Sequence, residues 1–386
     1  MRQTDILVVG AGPAGLGAAT EAARAGASVI LVDENHKAGG QLFKQIHKFF
    51  GSEAHYAGTR GFQIGEILLE EAGRCGVTTL LDTRALGLLD DGTVGLLSGD
   101  TVTRVGAKKI ILATGAKENA LAFPGWTLPG VMTAGAAQTF ANVHGTLPGE
   151  HILMVGSGNV GLIVSYQLMQ AGASIEALVE AAPQITGYRV HAGKIQRAGV
   201  PIYTSHTIVE ARGEGHVEEA VIAEVDERFR IVAGTEKTIP VDTVLLAVGL
   251  NPRTELLAMF RCRTSYEGAL GGVLPLHSET MQTTNPDVYV CGDIAGVEEA
   301  NTALDEGRLA GLCAALSLGY GSEFCGGDTG SLVCGGDTGA ARDGAALRRV
   351  DELKASLAAL RSGTFGVRRR ESKQRITERW RGINDE

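Results

Sequence analysis

The sequence Gly10-Ala11-Gly12-Pro13-Ala14-Gly15 follows the apolar segment 5–9 and opens a stretch rich in alanine. The same pattern returns as Gly156-Ser157-Gly158-Asn159-Val160-Gly161 after the apolar segment 151–155. We call these two stretches the first and the second fingerprint. In each of them an apolar strand, a glycine-rich turn and a helical stretch follow in order, which predicts the opening of a βαβ unit.

An acidic residue lies at the predicted end of the next strand in both cases, Glu34 in the first and Glu180 in the second. Each acid stands 24 positions after the first glycine, the span that a βαβ unit needs. The glycines let the backbone approach a pyrophosphate, the helix N-terminus offers N–H groups to that anion, and the carboxylate accepts hydrogen bonds from a ribose. Two such sets predict a protein that binds two dinucleotides.

Length, charge and composition limit the classes of protein to which the chain can belong. The 386 residues suffice for two or three domains, and a net charge of −9 argues against a nucleic-acid or membrane-surface binder. The chain has no uninterrupted apolar run of about 18 residues, so we expect no transmembrane segment. Because the first strand begins within a few residues of Met1, we expect no signal peptide and a cytoplasmic location.

The order of the other strands predicts the domain organisation. The apolar strand 109–113 ends in Thr114-Gly115, the strand 243–248 is closed by Gly249, and the strand 288–290 leads to Gly292-Asp293. This order predicts that a second nucleotide domain interrupts the first and that the last strand returns Asp293 to the first fingerprint. The predicted fold is therefore α/β, with a Rossmann-like domain at 145–252 inserted into another at 1–120 and 265–322.

The C-terminal part differs in character. Cys-Gly-Gly-Asp-Thr-Gly occurs at 325–330 and again at 334–339, within a predicted Gly-rich linker at 323–340. We interpret the duplication as a linker rather than a metal loop, because two cysteines and two aspartates do not complete a coordination set, and we predict no metal site. Residues 341–386 predict a small helical, basic extension, with Leu347, Val350, Leu353, Leu357 and Leu360 on one face and a solvated end or docking tail after 366.

These motifs, with Gly39-Gly40-Gln41-Leu42 added, resemble the flavoproteins that have two dinucleotide-binding domains, the superfamily of thioredoxin reductase and glutathione reductase. The resemblance covers about residues 4–320. It implies FAD in the interrupted domain, NAD(H) in the inserted one, and a hydrogen bond from the flavin's ribityl chain to Asp293. The predicted cofactor-binding residues are Gly10, Gly12, Pro13, Ala14, Gly15, Glu34, Gly40, Gln41, Thr114, Gly115, Gly156, Gly158, Asn159, Val160, Gly161, Glu180, Gly249, Gly292 and Asp293.

The cysteines depart from the disulfide reductases of that superfamily. None of the six forms a Cys-x-x-Cys pair, and the Gly39-Gly40 turn is followed by Gln41-Leu42-Phe43-Lys44. The sequence therefore predicts a flavin that exchanges electrons directly with a substrate, a quinone, oxygen or a partner protein. Cys75, Cys291 and Cys313 are interpreted as core or near-core thiols.

A closer resemblance is to flavoprotein subunits of bacterial amine and amino-acid dehydrogenases, such as the sarcosine oxidase alpha subunit, opine oxidase, hydrogen cyanide synthase and dye-linked proline dehydrogenase. It rests on Val32-Asp33-Glu34, on the segment 124–132, and on the segments 291–296 and 306–311. Several members of that group carry a cysteine-rich iron–sulfur segment, for which Cys325 and Cys334 alone do not suffice.

The loop 43–60 is rich in ionisable and aromatic side chains and is expected to start beside the flavin. One hypothesis makes His47, Lys48 and Arg60, with His55 and Tyr56, the groups that bind a carboxylate or act as acid and base. The other has Phe49, Phe50 and Tyr56 pack under the FAD adenosine while the charged groups are solvated.

Three functions compete. The first is an FAD-dependent oxidoreductase that passes a hydride or electrons between NAD(H) and a small-molecule substrate or a partner subunit. The second is an FAD-holding electron-transfer subunit of an amine, amino-acid or hydroxy-acid dehydrogenase, with the NAD domain as scaffold. The third, a non-catalytic nucleotide-binding regulator, is disfavoured because Gly39-Gly40-Gln41 and Gly292-Asp293 serve the reactive end of a flavin.

Overall fold

The structure, a computed structural model, describes residues 1–321, 339–363 and 366–384. The chain divides into two compact units, one formed by Met1–Lys117 with Asn251–Glu386 and the other by Glu118–Leu250. The second unit thus interrupts the first along the chain. Only positions 339 and 340 of the predicted linker at 323–340 belong to the described residues, so the first copy of the duplicated hexapeptide lies outside them.

The helices and strands follow in chain order. The first part contains β1 (Arg2–Val9), α1 (Pro13–Arg24), β2 (Val29–Val32), α2 (Gly61–Arg74), β3 (Thr78–Leu80), β4 (Arg84–Leu88), β5 (Val94–Ser98), β6 (Thr101–Leu112) and β7 (Ala116–Glu118). The middle part contains β8 (Val131–Thr133), α3 (Ala134–His144), β9 (His151–Val155), α4 (Asn159–Gln170), β10 (Ser174–Glu180), α5 (Arg189–Arg197), β11 (Ile202–Thr204), β12 (His206–Arg212), β13 (Glu219–Glu224), β14 (Lys237–Pro240), β15 (Thr243–Leu246) and β16 (Leu250–Pro252). The last part contains α6 (Glu255–Met259), β17 (Thr264–Glu267), β18 (Gly272–Pro275), β19 (Val288–Val290), α7 (Ala300–Ser317), α8 (Gly339–Leu360) and α9 (Gly366–Asn384).

The interrupted unit is built on one mixed sheet with the strand order β3-β2-β1-β6-β5-β4, and β19 also pairs with β6. The strands β1, β2, β3 and β19 run parallel to their neighbours, whereas β4 and β5 form an antiparallel arm. The strand β6 serves both parts, because its beginning pairs with β5 and its end pairs with β19. The central strands are buried on both faces, which explains their continuous apolar composition.

Two long helices of this unit, α1 and α7, pack backbone against backbone. A Cβ atom on Gly307 would come within 2.0 Å of the carbonyl oxygen of Ala14, and one on Gly311 equally close to that of Ala18. Only glycine permits this approach. The contact fixes α7, which follows the Gly292-Asp293 turn, against the helix that the first fingerprint opens.

The inserted unit contains a five-stranded parallel sheet of order β11-β10-β9-β15-β8 and a separate three-stranded antiparallel sheet of order β12-β13-β14. Helices α3, α4 and α5 contribute to its core with Ala137, Leu162 and Ile195. The parallel sheet with its helices gives this unit its Rossmann-like character, as the sequence predicted.

The C-terminal helices, α8 and α9, belong to the interrupted unit and are not a solvated end. Val350, Leu353 and Leu357 of α8 are buried in its core as predicted, but Leu347 is exposed and Ala346 is buried in its place. In α9 the side chains of Lys373 and Ile376 are buried. The basic composition after 366 predicts a solvated or docking tail, whereas several of its cations pair with carboxylates of the same unit. None of the helices in the described ranges combines the length and the apolar character that a membrane span requires.

Candidate functional site

The first fingerprint forms a tight turn between β1 and α1. Gly10 has a φ of +106°, and a Cβ atom there would come within 2.3 Å of the carbonyl oxygen of Ala113. Gly15 packs even more tightly, since a Cβ atom there would lie 1.7 Å from the Gly10 oxygen. Gly12 is different, because a Cβ atom there would contact only the Cα of Gly40, at 3.9 Å. Gly10 and Gly15 therefore pack tightly against backbone atoms, whereas the space beside Gly12, just before α1 begins at Pro13, is free of protein atoms.

The acid that contacts this turn is Asp33. Its Oδ2 accepts a hydrogen bond of 2.6 Å from the Ala11 N–H, and its Oδ1 accepts two of 2.8 Å from the backbone and side chain of Asn35. A carboxylate offers about four acceptor positions. One position on Oδ2 therefore remains for a ligand hydroxyl.

Glu34, the acid predicted from the spacing, points to two arginines. Its Oε1 accepts a hydrogen bond of 2.9 Å from Arg253 and its Oε2 one of 3.3 Å from Arg84. The hydrogen bond from Arg253 lowers the pKa of Glu34 below its usual value. The Arg253 backbone N–H in turn donates to the Gly115 oxygen at 2.9 Å, and the Thr114 hydroxyl donates to the Arg253 oxygen. Thr114 and Gly115 are thus connected to the predicted ribose end of the site.

The glycine pair after β2 packs on the first fingerprint. The Gly39 N–H donates to the Ala11 oxygen at 2.7 Å. A Cβ atom on Gly40, whose φ is +52°, would come within 2.8 Å of the Gly12 Cα. Gln41 follows with an exposed side chain in a short 3₁₀ helix, Gly40–Lys44.

The turn after β19 returns to the same place. A Cβ atom on Gly292 would lie 2.7 Å from the Ala14 Cβ, so this turn contacts the start of α1 as the sequence predicted. The neighbouring Asp293 is partly buried, and its Oδ1 accepts a hydrogen bond of 3.3 Å from the Glu298 N–H. Burial, together with the negative charges of Glu306, Glu298 and Glu299, raises the pKa of Asp293 to about 7.

These residues fit a dinucleotide such as FAD. The open face at Gly12 and the N–H groups at the start of α1 suit a pyrophosphate, and the Asp33 carboxylate retains an acceptor position for a ribose. Asp293 retains acceptor positions beyond its single weak hydrogen bond, which suits a hydroxyl of a sugar chain. The set of residues thus spans both ends of one elongated ligand.

The second fingerprint repeats this geometry within the inserted unit. A Cβ atom on Gly156 would meet the Ala247 oxygen at 2.3 Å, and one on Gly161 the Gly156 oxygen at 2.1 Å. Gly158 is open, with no atom within 4 Å of its Cβ position, and precedes Asn159 at the start of α4. Val160 is 40% exposed, and Gly249 has a φ of +106°.

Glu180 occupies the place of Asp33 rather than that of Glu34. The strand partners are Val9 and Val32 in one unit and Val155 and Val179 in the other, and a bulge in β10 adds one residue before the acid. The equal spacing of 24 residues hides this shift. The residue after Glu180, which corresponds to Glu34, is Ala181.

The Glu180 carboxylate accepts four hydrogen bonds from its own unit. Its Oε2 accepts hydrogen bonds from the Ser157 N–H at 2.9 Å, the Ser157 hydroxyl at 2.5 Å and the Thr186 hydroxyl at 3.2 Å. Its Oε1 accepts one from the Ala182 N–H. The loop after β10 also closes on the fingerprint, since the Gly187 N–H donates to the Ser157 oxygen at 2.9 Å. Three donors occupy Oε2, so a ribose would either displace one of them or use the remaining acceptor position on Oε1.

The predicted catalytic side chains of the loop 43–60 have different partners. Arg60 donates to the Ile46 oxygen at 2.7 Å, and its backbone bridges to Lys48, which closes the base of the loop. Lys48 lines a surface cavity of about 570 Å³ together with Glu66 and Glu70 of α2. The ring of His47 stacks on Phe49 with 5.2 Å between centroids.

His55 and Tyr56 anchor the same loop. The His55 Nε2 lies 2.9 Å from Asp305 Oδ2 of α7, and the side chain is buried, while the Tyr56 hydroxyl donates to Glu71 at 3.0 Å. The loop also touches the start of α7, where the Asn301 side chain donates to the Phe50 oxygen. Phe50 itself is 69% exposed.

The described cysteines are Cys75, Cys262, Cys291 and Cys313, and all four are free thiols. Cys291 and Cys313 are buried, and Cys75 is half-buried, in agreement with the interpretation as core or near-core thiols. Burial raises the pKa of the Cys313 thiol to about 12, and it also raises the pKa of the Cys291 thiol. A raised pKa disfavours the thiolate that redox exchange requires.

Sequence reasoning missed three features of the site. Asp33 was visible in the sequence, but only a count from the strand end rather than from the glycine would have selected it. No local signal marks Arg253, which lies 219 residues from Glu34. The contact between His55 and Asp305, 250 residues apart, equally needs the fold.

Comparison with known proteins matches residues 4–307 to the family described as pyridine nucleotide-disulphide oxidoreductase. The opine oxidase A chain of Rhizobium meliloti is 31% identical over 82% of this chain. The HcnB subunit of hydrogen cyanide synthase from Pseudomonas aeruginosa is 28% identical over 80% of this chain and 70% of its own length. The alpha subunit of sarcosine oxidase from a Corynebacterium species is 28% identical over 82% of this chain and 33% of its own length. The match spans 63% of the opine oxidase relative, so the remaining part of that relative has no counterpart in this chain.

Among solved structures, the thioredoxin reductase of T. acidophilum superposes with a TM-score of 0.68 at 21% identity. The match covers 82% of this chain and 99% of the reductase. It shows that the two share a fold. It also shows that this chain carries residues for which the reductase has no equivalent.

Proposed function

This chain belongs to the pyridine nucleotide-disulphide oxidoreductase family, a family of FAD-dependent oxidoreductases that use NAD(P)H, and from this premise we propose a specific role for it. The protein transfers a hydride or electrons between NAD(H) and a second redox partner without a redox disulfide. The partner is a small-molecule substrate or a companion dehydrogenase subunit. Bound FAD supplies the redox chemistry, and the residues of the chain hold and orient it.

The observation that carries the proposal is the absence of a thiol pair from the positions that would pass electrons on. The sequence has no cysteine from Gly39 to Lys44 and none in the second fingerprint. The cysteine nearest the Gly292-Asp293 turn, Cys291, is buried and its pKa is raised. Electrons therefore leave the flavin by direct contact with an acceptor or donor.

The relatives support a companion subunit. The matched proteins of opine oxidase, hydrogen cyanide synthase and sarcosine oxidase are each named as one subunit of a larger enzyme. We propose that this chain likewise works with a partner that supplies or removes electrons. The exposed Phe50, whose oxygen accepts a hydrogen bond from Asn301 near the start of α7, offers such a partner a surface.

A second candidate has support in the inserted unit. Glu180 already accepts hydrogen bonds from Ser157, Thr186 and Ala182, and the position that corresponds to Glu34 is Ala181. A unit whose ribose acceptor is already engaged can be retained as a scaffold. In that case the chain is an FAD-holding electron-transfer subunit of an amine, amino-acid or hydroxy-acid dehydrogenase.

Anaerobic mixing of the purified protein with NADH separates the two functions. Rapid loss of the oxidised flavin absorption band supports the first function. A flavin that NADH leaves oxidised, but that dithionite reduces reversibly, supports the scaffold function. A protein that purifies without flavin and does not take up FAD would contradict both.

A further inference from the structure

Two cations of the C-terminal extension, one after α8 and one in α9, meet one buried carboxylate. Glu306 of α7 is 1% exposed, and its carboxylate has three donors. Its Oε1 accepts a hydrogen bond of 2.6 Å from the Lys373 ammonium of α9 and another from Arg361, which follows α8. Its Oε2 accepts one of 3.0 Å from the Gly292 N–H. Glu306 therefore connects the C-terminal helices to the turn that precedes Asp293.

Glu306 needs these two cations to remain ionised while it is buried. Burial by itself would raise the pKa of Glu306, but the charges of Lys373 and Arg361 hold the pKa below its usual value. The Lys373 side chain is 7% exposed and that of Arg361 is 13% exposed, so neither is screened by water. Loss of one partner of such a pair leaves an uncompensated buried charge.

Arg361 is also connected to Asp293 indirectly, through Glu298. Its guanidinium donates to both oxygens of the Glu298 carboxylate, at 3.0 Å, 3.1 Å and 2.6 Å. The Glu298 N–H donates to Asp293 Oδ1. The turn on one side of Asp293 is thus held through Glu306 and the segment on the other side through Glu298, and both connections end at Arg361.

Neighbouring contacts fix α8 in this place. The Ser356 hydroxyl donates to Asp305 Oδ2 at 2.6 Å, on the carboxylate that also contacts His55 of the loop 43–60. The family match ends at residue 307, before either C-terminal helix begins. The cations are consequently a feature of this chain's extension and not of the matched family region.

We propose that Arg361 and Lys373 are positioning residues of the FAD site. Through Glu306 and Glu298 they fix the backbone on both sides of Asp293 and neutralise the negative charge that accumulates there. The C-terminal helices are thereby a part of the flavin site and not an appendage. The inference concerns FAD binding alone, so it stands whether or not the inserted unit takes part in turnover.

Two measurements test it on the full-length protein, namely the dissociation constant of FAD and the midpoint potential of the bound flavin. In K373M we expect the FAD dissociation constant to rise at least about tenfold, because Glu306 loses one of its two cations. We also expect the midpoint potential to fall, because the uncompensated carboxylate disfavours the reduced flavin, which carries more negative charge than the oxidised one. R361M should act in the same direction.

The chain offers a matched control. Arg375 lies in the same helix and pairs with Glu267, another buried carboxylate, at 2.7 Å, but that carboxylate has no bond to the turn before Asp293. R375M removes a more exposed cation from a carboxylate that keeps Arg379, so it should lower thermal stability less and leave both the dissociation constant and the potential unchanged. The double variant K373M/E306Q removes the excess negative charge and should return the potential to the wild-type value.

The outcomes are distinct. Equal loss of FAD affinity in K373M and R375M, in proportion to lost stability, would mean that the cations only hold the fold together. A K373M flavin with wild-type potential and affinity would also overturn the proposal. If K373M does not fold, R361K provides the second test, because a lysine keeps the charge but cannot bridge Glu306 and Glu298 with a planar guanidinium. R361K should then keep the potential and lose affinity, and wild-type affinity in this variant would contradict the proposed bridge.

Discussion

The Ala11 N–H donates a hydrogen bond of 2.6 Å to the carboxylate of Asp33, and the Ser157 N–H donates one of 2.9 Å to that of Glu180. The two nucleotide units therefore close their glycine-rich turns in the same way. In both, the acid at the end of the second strand holds the backbone of the second fingerprint residue. The two acids differ in the number of hydrogen bonds that they accept, since Asp33 accepts three and Glu180 accepts four.

The first prediction follows for the FAD ribose. D33N should raise the dissociation constant of FAD by about 10-fold or more, because the neutral amide is a weaker acceptor for both the Ala11 N–H and a ribose hydroxyl. E34Q removes only the exposed ion pairs with Arg84 and Arg253. Fluorescence titration of the apoproteins compares the two variants. If E34Q loses FAD and D33N retains it, the acid identified from the 24-residue spacing is the ribose acceptor after all.

The second prediction separates cofactor loss from misfolding. G12L should fold with a stability change of about 1 kcal/mol or less, because the Cβ position is open and Gly12 lies at a helix N-terminus. The leucine would stand where the pyrophosphate lies, so this variant should purify as apoprotein. G15L is the counterpart, since its Cβ would overlap the Gly10 oxygen, and it should not fold. Full FAD occupancy in folded G12L would refute the assignment of the first fingerprint.

The third prediction concerns pH and the apoprotein. The folded pKa of Asp293, about 7, lies above the unfolded value of about 4. Between these values the unfolded chain releases a proton that the folded protein keeps, so stability falls as pH rises from about 4 to about 7 and levels off above. D293N removes this cost, so the variant should be more stable than wild-type apoprotein at about pH 8, by about 1–3 kcal/mol, with the difference vanishing towards about pH 4. Urea titrations at the two pH values measure it, and a constant difference would show that Asp293 ionises normally.

The sequence predicted the framework of the molecule because its signals are local. Residues 10–15 and 156–161 carry the turn, and the apolar strands around them fix a parallel sheet. The interruption of one unit by another followed from the order of Gly249 and Gly292-Asp293. These features depend on short segments whose backbone conformation only a few residue types can adopt.

The remaining features depend on contacts between distant residues. The basic residues after 366 read as a solvated tail, because composition does not show that Lys373 meets Glu306 across 67 positions. Among the candidates of the loop 43–60, His55 already forms a hydrogen bond with Asp305, and Arg60 donates one to the Ile46 oxygen. A list of ionisable residues in a loop does not indicate which of them are already paired.

The fourth prediction tests the nicotinamide preference. Ala181, Ala182 and Pro183 follow Glu180 without an arginine, so the inserted unit has a carboxylate where a 2′-phosphate would need a cation. NADH should reduce the flavin faster than NADPH in anaerobic stopped-flow experiments. A181R should narrow the difference, because it places a cation beside the ribose. Equal wild-type rates would point to Arg189, at the start of α5, as a phosphate ligand. Absence of reduction by either nucleotide would favour the scaffold function.

The last prediction is that electrons leave the flavin without passing through any cysteine. Among the described thiols Cys291 and Cys313 are buried with raised pKa values, and the four residues directly after Gly39-Gly40 include no cysteine. Replacement of all six cysteines by alanine or serine should therefore leave FAD binding and turnover with an artificial dye largely intact. A cysteine-free protein that binds FAD normally but does not turn over would rule out direct transfer.

The same direct transfer requires a contact surface, which we expect the loop 43–60 to provide. Replacement of His47, Lys48 or Arg60 by alanine should slow exchange with the natural partner, while FAD stays bound. The effect should differ among them, because Arg60 closes the base of the loop and Lys48 lies at its surface. K48A should therefore change only the rate and its salt dependence, as expected for a charge at the rim of an interface. R60A should also increase the proteolytic sensitivity of the loop. If K48A and R60A both exchange electrons at the wild-type rate at low salt, the partner docks elsewhere.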